Sequence, residues 1–364
     1  MPKVVISGYY GFKNNGDEAM LYSILHTLRK KIPGLEATVL SRNPSETMEI
    51  HQVKAISRYR IGRIIRELRS ADLLISGSGG LLQDSTGPNS ILYYLGIVFL
   101  AKILGKPVVF YSQGVGPVRT FLGRKMMQLV ANRVDLITVR DEESRAELEL
   151  LQVNRPPLQV TADAALCLQP EEIDLRLGQE ILASLNVDLQ RPLVGFSVRY
   201  WKDCQDYKRI IAKAGDYLAE KGWQILFLPM HYPGDIEISR EIAGLMQNPC
   251  TVVERELNFR EMLSLMQHLQ AVVGMRLHFL VFAALLNIPM TGISYDPKVE
   301  SFLNLVQMPL GGRVDNLQEA ELLQTIGQML KDETLLKARL TEKIPQLRQK
   351  ALQSAELVVE KMNW

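Results

Sequence analysis

Residues 4–32 read VVISGYYGFKNNGDEAMLYSILHTLRKKI, and this stretch decides the fold class. Val4–Ser7 is a short apolar run that predicts a first β-strand. Between Asp17 and Ile32 the large apolar residues recur at the i, i+3, i+4, i+7 spacing of one helical face; they are Leu21, Ile24, Leu25, Leu28 and Ile32. A strand, a glycine turn and an amphipathic helix in this order predict one repeat of a parallel α/β sheet.

The same alternation continues along the chain and then restarts after a break. Further strands are predicted at 37–40, 73–76, 108–112 and 136–139, and after the break at 193–198, 224–228, 251–253, 271–273 and 290–293. Residues 154–189, with three prolines and an acidic stretch, separate the two runs. We therefore predict an α/β protein with two Rossmann-like domains and a cleft between them. The predicted bounds are 1–170 and 171–335, followed by C-terminal helices at 336–364 that by analogy with related folds pack back on the N-terminal domain.

Composition excludes several classes of protein. The chain has 364 residues, of which 47% are hydrophobic, and a net charge of +2, so nothing indicates nucleic acid as a partner. Its three cysteines are far apart, which excludes a disulfide scaffold and a CxxC metal site. The most apolar stretch, Ile91–Ala101, is shorter than the ~20 residues of a membrane-spanning helix. We expect a cytoplasmic protein, with peripheral contact at the inner face of the cell membrane left open.

Three predicted strands of the first half end in glycine-rich turns, Gly8–Gly11, Gly77–Gly80 and Gly114–Pro117. Glycine lets the backbone approach a ligand and leaves N–H groups available. The dinucleotide fingerprint and the P-loop sequence are both absent, so the turns do not by themselves indicate a nucleotide. They are either ligand-contacting turns or tight strand-to-helix connections.

Three carboxylates follow these turns. Asp17 and Glu18 suit the first turn of a helix, where negative charge complements the dipole. Asp84, after the second turn, either binds a sugar hydroxyl and accepts its proton or caps a loop.

The strand ends of the second half carry the opposite charge. Arg199 and His231 each follow a predicted strand, and Arg276 and His278 open the helix after another. Arginine forks match carboxylate and phosphate groups, and histidine donates protons near neutral pH, so these four residues predict an anion site. For each residue alone, a structural ion pair or hydrogen bond is the alternative. No HExxH sequence or close His/Asp pair indicates a metal site.

The remaining histidines, His26, His51 and His268, are interpreted as surface residues. An arginine-rich helix is predicted between Arg58 and Arg69, where arginines alternate with an apolar face. Its arginines are either a solvated face or a contact with an anionic membrane surface or a diphosphate headgroup.

Five motifs resemble the polysaccharide pyruvyl transferase family. In chain order they are Gly8–Gly11 with Asn15–Glu18, Gly77–Asp84, Ser112–Pro117, Arg140–Ser144 and Gly274–His278. Within the family the sequence is most similar to the bacterial CsaB type, which modifies a cell-wall polymer. The similarity extends from residue 1 to about residue 300.

This resemblance implies a glycosyltransferase-B-like fold and transfer of pyruvate from phosphoenolpyruvate to a sugar as a cyclic 4,6-ketal, with release of phosphate and without a cofactor. For the CsaB type it implies a β-N-acetylmannosamine acceptor on a lipid diphosphate, and a product that anchors surface-layer proteins. It implies donor binding by Arg199, Arg276 and His278, and activity that depends on Asp84. We add His231 as a phosphate ligand. The candidate acceptor-binding residues are Gly11, Asn15, Asp17, Gly79, Gly80, Asp84 and Gln113.

The expected chemistry uses His278 as the acid that protonates the methylene carbon and Asp84 as the candidate base for the attacking hydroxyl. The arginines would stabilise the departing phosphate. Two alternatives stay open. One is a sugar-nucleotide glycosyltransferase or epimerase of the same fold, with Glu300 as a candidate for the ribose, and the other is a polymer-binding protein without catalysis.

Overall fold

In the computed structural model, the first strand and helix form the repeat that the sequence predicts. They are β1 (Lys3–Tyr10) and α1 (Asn15–Lys31). The structure describes residues 1–84, 88–201 and 204–364. Asn14 caps α1 by accepting the backbone N–H of Gly16 at 3.1 Å. The predicted apolar face of α1 is buried, so burial as well as capping fixes this helix.

The first sheet is parallel and, within the described residues, has eight strands in the order β3-β2-β1-β4-β6-β7-β8, with β5 paired to β6. The strands after β1 are β2 (Glu36–Ser41), β3 (Lys54–Ser57), β4 (Leu73–Ser76), β5 (Gly79–Leu82), β6 (Val108–Val115), β7 (Leu136–Val139) and β8 (Leu158–Val160). The helices after α1 are α2 (Pro44–His51), α3 (Ile61–Ser70), α4 (Pro88–Ile103), α5 (Phe121–Met126) and α6 (Glu142–Leu150). A π-helical segment, Met127–Ala131, continues α5. Every residue of β6 is buried, as expected of a strand that is covered on both faces.

The second sheet is also parallel, with the order β11-β10-β9-β12-β13-β14. Its strands are β9 (Leu193–Ser197), β10 (Gln224–Phe227), β11 (Thr251–Val252), β12 (Ala271–Gly274), β13 (Met290–Ser294) and β14 (Leu310–Arg313). Counted from β9, this is the 3-2-1-4-5-6 order of a Rossmann fold, whose ligands bind where the order reverses. The reversal lies between β9 and β12.

Eight further α-helices follow α6 among the residues that the structure describes, and the last of them extends into the first of the chain's two compact units. They are α7 (Leu175–Ser184), α8 (Asp206–Glu220), α9 (Ile236–Leu245), α10 (Phe259–Met266), α11 (Leu277–Leu285), α12 (Pro297–Leu305), α13 (Glu319–Lys331) and α14 (Glu333–Met362). In the described ranges no helix combines the length and the apolar character that crossing a membrane requires.

The chain forms two compact units. The first unit contains residues 1–167 and 346–364, and the second contains residues 168–345. The helix α14 therefore starts in the second unit and ends in the first. There Ser354 Oγ lies within hydrogen-bond distance of the hydroxyls of Ser112, Thr138 and Thr161, at 2.9 to 3.1 Å. The domain bounds at 170 and 335 stay predictions.

Among the strands of the described residues, four were not predicted from the sequence: β3, β5, β8 and β14. The two strands β5 and β14 each contain two glycines, a composition that is typical of turns. The short strand β8 lies in the proline-containing segment that was interpreted as a break in the pattern. By contrast, the predicted strands 73–76 and 136–139 coincide with β4 and β7.

Candidate functional site

Four neighbouring strands of the second sheet, β10, β9, β12 and β13, end at one edge. Arg199 follows β9, His231 follows β10, and Arg276 and His278 follow β12. Because the strands are parallel, the predicted anion-binding residues share that edge. Arg199 and Arg276 follow the two strands at the reversal, where open α/β sheets bind ligands.

Arg276 is held by an aspartate that was not predicted from the sequence. Its Nε donates to Asp235 Oδ2 at 2.9 Å, and its Nη2 donates to Asp235 Oδ1. The Asp235 side chain is 2% exposed and the Arg276 side chain 18% exposed. The carboxylate occupies one edge of the guanidinium, and the planar group has further N–H donors on its other edges. Arg276 is therefore oriented by the protein before any ligand binds.

Asp235 also joins Arg276 to the end of β10. Its Oδ2 accepts the backbone N–H of His231 at 3.0 Å. A Cβ at Gly234 would lie 2.8 Å from His231 Nδ1, so a larger residue there would displace the imidazole. One buried carboxylate thus links His231 and Arg276, two of the residues predicted to bind the donor substrate.

Arg199 lies against an aromatic side chain that follows β13. Its guanidinium carbon is 4.4 Å from the ring centre of Tyr295 and 5.9 Å from that of Trp201. The Lys298 ammonium is 5.6 Å from the Tyr295 ring centre and 3.2 Å from the Asp296 carboxylate. Such cation–π contacts favour a fixed cation position. Tyr295 and Lys298 were not predicted, although they follow a predicted strand of the same edge.

The pKa of the Tyr295 phenol reflects this concentration of positive charge. Burial raises the pKa, but the cations Lys298, Arg199 and Arg276 lower it more, so that it falls below its ordinary value. Nearby cations must outweigh desolvation for this to occur. The positive field of three side chains therefore converges on Tyr295, and it favours an anion at this edge of the sheet.

His278 lies in the first turn of α11 and is half-buried. The N-terminus of a helix favours negative charge, because its backbone N–H groups point outwards along the axis. His278 and Arg276 are thus placed at one helix start. Within the described parts of the chain, no three His, Cys, Asp or Glu side chains gather as metal ligands would.

In the first unit, three predicted acceptor-binding residues surround the turn at Gly79. A Cβ at Gly79 would lie 3.1 Å from Asp17 Oδ1, and its φ of +113° is rarely adopted by other residues. Gln113 Nε2 donates to the Gly79 carbonyl at 2.5 Å. The adjoining Gly80 is exposed. The predicted turn follows β4, and its Gly79 and Gly80 are the first residues of β5. The strand β4 neighbours β1, where the strand order of this sheet reverses.

Two buried polar atoms near this turn have no hydrogen-bond partner among the described residues. They are Gln113 Oε1 and the hydroxyl of Tyr10. Burial raises the Tyr10 pKa well above its ordinary value, and the Asp17 and Glu18 carboxylates raise it further, so the hydroxyl stays protonated. Buried polar groups without a partner are rare in native proteins. They distinguish the Gly79 turn from an ordinary connection.

The first glycine turn is held by a buried pair, Glu18 and His51. Glu18 Oε1 accepts the Gly11 N–H at 2.8 Å, and Glu18 Oε2 lies 2.8 Å from His51 Nε2. The His51 side chain is 0% exposed, so its interpretation as a surface residue is wrong. The Gly11 N–H is already bound within the protein, which argues against its predicted role as a ligand contact. Asn15 is also buried, at the start of α1.

Asp84 is bound to the loop that leads into α5. Both carboxylate oxygens accept the Arg119 N–H, at 3.0 and 2.9 Å, and Oδ2 accepts the Thr120 N–H at 2.7 Å. Burial raises the pKa of Asp84, but these backbone hydrogen bonds outweigh burial and bring it below the ordinary value. A carboxylate stabilised in this way is a weak base. The geometry therefore favours the loop-capping alternative over the predicted role as general base.

The third glycine turn is held by the motif Arg140–Ser144. A Cβ at Gly114 would lie 2.8 Å from the guanidinium carbon of Arg140, so glycine is needed for this close approach. Arg140 Nη1 donates to Asp163 at 3.1 Å. Ser144 Oγ accepts the Val115 N–H at 2.9 Å. The Arg140–Ser144 motif therefore stabilises the third glycine turn through contacts within the first unit.

Arg58 is not part of the arginine-rich helix, because α3 begins at Ile61. It is 6% exposed, with its guanidinium carbon 4.0 Å from the Tyr93 ring centre. Its Nη1 donates to the Gly8 carbonyl at 3.3 Å. The prediction of a solvated or membrane-facing arginine is wrong at this position. Helical periodicity could not reveal the contact because Tyr93 is distant in sequence.

The profile of the polysaccharide pyruvyl transferase family matches residues 14–297, well over half of the chain. The chain belongs to the polysaccharide pyruvyl transferase family. This pyruvyl transferase is also 20% identical, over 385 residues, to the amylovoran biosynthesis protein AmsJ of Erwinia amylovora, with 90% of the chain and 92% of AmsJ covered. The family predicted from the five motifs is confirmed, and with it an enzyme that transfers pyruvyl groups to polysaccharide. The particular similarity to the CsaB type stays a prediction.

Solved structures show which fold the pyruvyl transferase shares. The S. aureus MnaA–UDP complex is 12% identical with a TM-score of 0.68, covering 94% of this chain and 91% of MnaA. Anabaena HepE in complex with UDP-glucose is 14% identical with a TM-score of 0.67 over the whole of both chains. The UDP-GlcNAc 2-epimerase of Methanocaldococcus jannaschii is 14% identical with a TM-score of 0.65, covering 91% of this chain and 93% of the epimerase. The predicted class, two Rossmann-like domains of glycosyltransferase-B type, is confirmed.

The Glu300 carboxylate of the pyruvyl transferase accepts hydrogen bonds from other residues of the protein. Its Oε1 accepts the Ser294 hydroxyl at 2.8 Å, and its Oε2 accepts Nη2 of Arg313 at 2.9 Å. The Arg313 hydrogen bond is the main cause of a Glu300 pKa below the ordinary value. The carboxylate considered for a nucleotide ribose is therefore engaged by the protein.

Proposed function

We propose that this pyruvyl transferase takes its pyruvyl group from phosphoenolpyruvate and joins it to two hydroxyls of one sugar as a cyclic ketal. The main support is the convergence of Arg199, Arg276 and Lys298 on Tyr295 at the reversal of the second sheet. Phosphoenolpyruvate carries a phosphate and a carboxylate, and an arginine fork matches either group. A donor with two anionic groups suits this group of three cations, two of which are already paired with the Asp235 and Asp296 carboxylates.

The reaction begins with a proton transfer from His278 to the methylene carbon of the donor. The first sugar hydroxyl then adds to the adjacent carbon, and phosphate leaves with the electrons of its C–O bond. The second hydroxyl attacks the same carbon and closes the ring. One hydroxyl proton replaces the proton that His278 gave up, and the other leaves with phosphate. No oxidant or reductant is consumed.

The second unit would supply the electrostatic part of catalysis. Asp235 fixes Arg276 and the aromatic contacts fix Arg199, so neither cation has to reorganise as charge moves onto phosphate. The family's donor arginines would act in this way as preorganised ligands. His231, linked to Arg276 through Asp235, would contact the phosphate.

The first unit would bind the acceptor. The polar residues around Gly79 support this assignment. Asp17 and Gln113 lie beside it, and the adjoining Gly80 is exposed. The finer proposal for the acceptor is β-N-acetylmannosamine of a lipid-diphosphate-linked cell-wall precursor. It rests on the similarity to the CsaB type, as does a role of the product in anchoring surface-layer proteins.

Phosphate release from phosphoenolpyruvate, measured with and without a β-N-acetylmannosaminyl acceptor, tests the proposal. We expect release only with acceptor, and a product heavier by one pyruvate ketal in mass spectrometry. Turnover of a UDP-sugar, with thermal stabilisation by UDP and none by phosphoenolpyruvate, would instead establish the sugar-nucleotide alternative.

Arg276→Lys tests the anion site, because an ammonium cannot make the two-point contact of a guanidinium. We expect the KM for phosphoenolpyruvate to rise at least tenfold, roughly the loss of one charged hydrogen bond. Arg240→Lys is the matched control, since Arg240 makes a two-point contact with Glu254 in the same unit but is exposed. Equal donor KM values in the two variants would refute the site.

A further inference from the structure

The two helices α4 and α5 of the first unit expose several large apolar side chains. Phe99 and Ile103 on α4 are 46% and 64% exposed. Phe121 and Leu122 on α5 are 75% and 56% exposed, and Leu129 on its π-helical continuation is 51% exposed. The helix α4 packs against both α5 and that continuation. We call these five residues the α4–α5 surface; exposed large apolar side chains on packed helices are typical of an interaction site.

The segment that carries the α4–α5 surface is basic. Residues 88–134 contain six Lys or Arg residues and no Asp or Glu, although the whole chain has nearly equal numbers of the two signs. Arg119, Arg124, Lys125 and Arg133 are exposed. Lys102 is paired with Asp135 at 2.8 Å, so its charge is partly compensated. The Asp84 and Glu147 carboxylates accept backbone N–H groups of Val118, Arg119 and Thr120. The apolar residues are thus accompanied by a net positive charge that is smaller than that of the four exposed cations alone.

We propose that the α4–α5 surface docks the enzyme on an anionic lipid bilayer. Exposed aromatic and leucine side chains enter the headgroup region, and lysines and arginines face lipid phosphates. A second copy of this chain would place the same positive charges against each other in a symmetric interface, which is unfavourable. The charge therefore selects the bilayer over self-association.

The arginine-rich helix α3 is the other basic candidate for membrane contact, but it has few exposed large apolar side chains. Arg63, Arg66 and Arg69 are exposed, but on α3 only Ile61 is a large apolar residue with comparable exposure, at 52%. Glu67 on the same helix offsets part of the charge and pairs with Lys54. Membrane attachment needs apolar burial as well as charge, so α3 is the weaker candidate and a useful control.

Hydrogen bonds connect Asp84 to the loop that immediately precedes Phe121 of the α4–α5 surface. The carboxylate accepts the N–H groups of Arg119 and Thr120, and Thr120 Oγ1 caps α5 by accepting the Gly123 N–H at 3.2 Å. Phe121 is the next residue. A lipid-linked acceptor in the bilayer would then present its sugar close to Asp84. This last step rests on the proposed function, whereas bilayer docking does not.

Cosedimentation of the full chain with lipid vesicles tests the docking. We expect binding to phosphatidylcholine vesicles that contain phosphatidylglycerol, weakened by salt, and little binding to phosphatidylcholine alone. Phe121→Ser with Leu122→Ser should weaken partitioning roughly tenfold or more, because two buried apolar side chains are lost. Ile61→Ser with Arg63→Glu on α3 should bind as wild type. All four positions are exposed, so unchanged thermal unfolding serves as the check on folding.

Two results of the vesicle experiment would overturn the docking proposal. One is equal binding to both vesicle types, and the other is an equal loss of binding in the α3 control variant. A concentration-dependent dimer that the Phe121→Ser, Leu122→Ser variant abolishes would assign the surface to a second copy instead.

Activity separates this proposal from the proposed function. The Phe121→Ser, Leu122→Ser variant should turn over a water-soluble acceptor normally and a vesicle-bound lipid-linked acceptor roughly tenfold more slowly. If no acceptor receives pyruvate from phosphoenolpyruvate, the proposed function fails and the vesicle-binding result still stands.

Discussion

The Asp235 carboxylate accepts two hydrogen bonds from the Arg276 guanidinium and a third from the backbone N–H of His231. The aspartate is almost completely buried and the arginine is partly exposed. The buried carboxylate therefore orients a cation that is itself partly exposed. It explains how a flexible arginine at a strand end is kept in one position.

Asp235→Asn should disturb this orientation. We expect kcat/KM for phosphoenolpyruvate to fall roughly 10- to 100-fold, because a misplaced cation loses much of its effect. The free energy of unfolding should fall by about 1–3 kcal/mol as a charged hydrogen-bond acceptor is lost. Steady-state kinetics and urea unfolding measure the two effects. Glu254→Gln, which removes the exposed partner of Arg240, should change neither, and a similar loss there would argue against a specific role for Asp235.

His278→Ala should lower turnover by about 10²–10⁴-fold, the usual contribution of a general acid. Because the side chain is only half-buried, we expect the unfolding temperature to stay close to that of the wild type. His268→Ala removes a histidine from the same unit and should leave turnover unchanged. Activity near the wild-type level in His278→Ala would remove this residue from the mechanism.

Tyr295 should titrate below the ordinary pKa of a tyrosine. Burial raises its pKa, but Lys298, Arg199 and Arg276 lower it to below the ordinary value. Ultraviolet titration of phenolate should show one group ionising early, and Tyr295→Phe should remove it. Because its folded pKa is depressed, ionised Tyr295 contributes stability above the unfolded pKa, and this contribution is lost as the pH falls through the folded pKa.

Phosphoenolpyruvate should raise the pKa of Tyr295, since a bound anion would compensate the three cations. The same titration with saturating donor measures this shift. If the early ionisation is unaffected by the donor, phosphoenolpyruvate does not bind among these cations.

Asp84→Asn should act mainly on stability. The backbone hydrogen bonds outweigh burial and lower the pKa of Asp84, so its stabilising effect is present above the ordinary pKa and is lost as the pH falls through the lowered value. We expect the variant to lose about 1 kcal/mol at neutral pH, and to become as stable as the wild type in strong acid. Turnover of a soluble acceptor should stay within about tenfold of the wild type. A loss of several orders of magnitude would restore Asp84 as the general base.

The sheets were largely predictable because their signals are local. An apolar run followed by an amphipathic helix predicts a strand wherever it occurs, and β4 and β7 have the predicted bounds. The strands β5 and β14 were not predicted because glycines replace the apolar residues that mark a strand. There the pairing with neighbouring strands, which is a tertiary effect, determines the structure.

The site was predictable only where position along a strand determined it. Arg199 and Arg276 follow predicted strands, so a shared edge could be inferred before any distance was known. Asp235 precedes the first residue of α9 and resembles an ordinary helix start, which conceals its contact with Arg276. The partners of Arg58 and His51 are likewise distant in sequence. The local sequence context therefore suggested a surface location for His51, and the helical pattern suggested an outward-facing arginine at position 58.

The first unit is assembled from two distant parts of the chain, residues 1–167 and 346–364. A ribosome completes the entire second unit before the final part emerges. Until then the three hydroxyls that meet Ser354 lack this partner, and the contacts that bury Ala351 and Val358 do not exist. The unit that is made first is thus the last to be finished. A nascent or truncated chain without these nineteen residues would display an incomplete first unit beside a second unit that has all of its sequence.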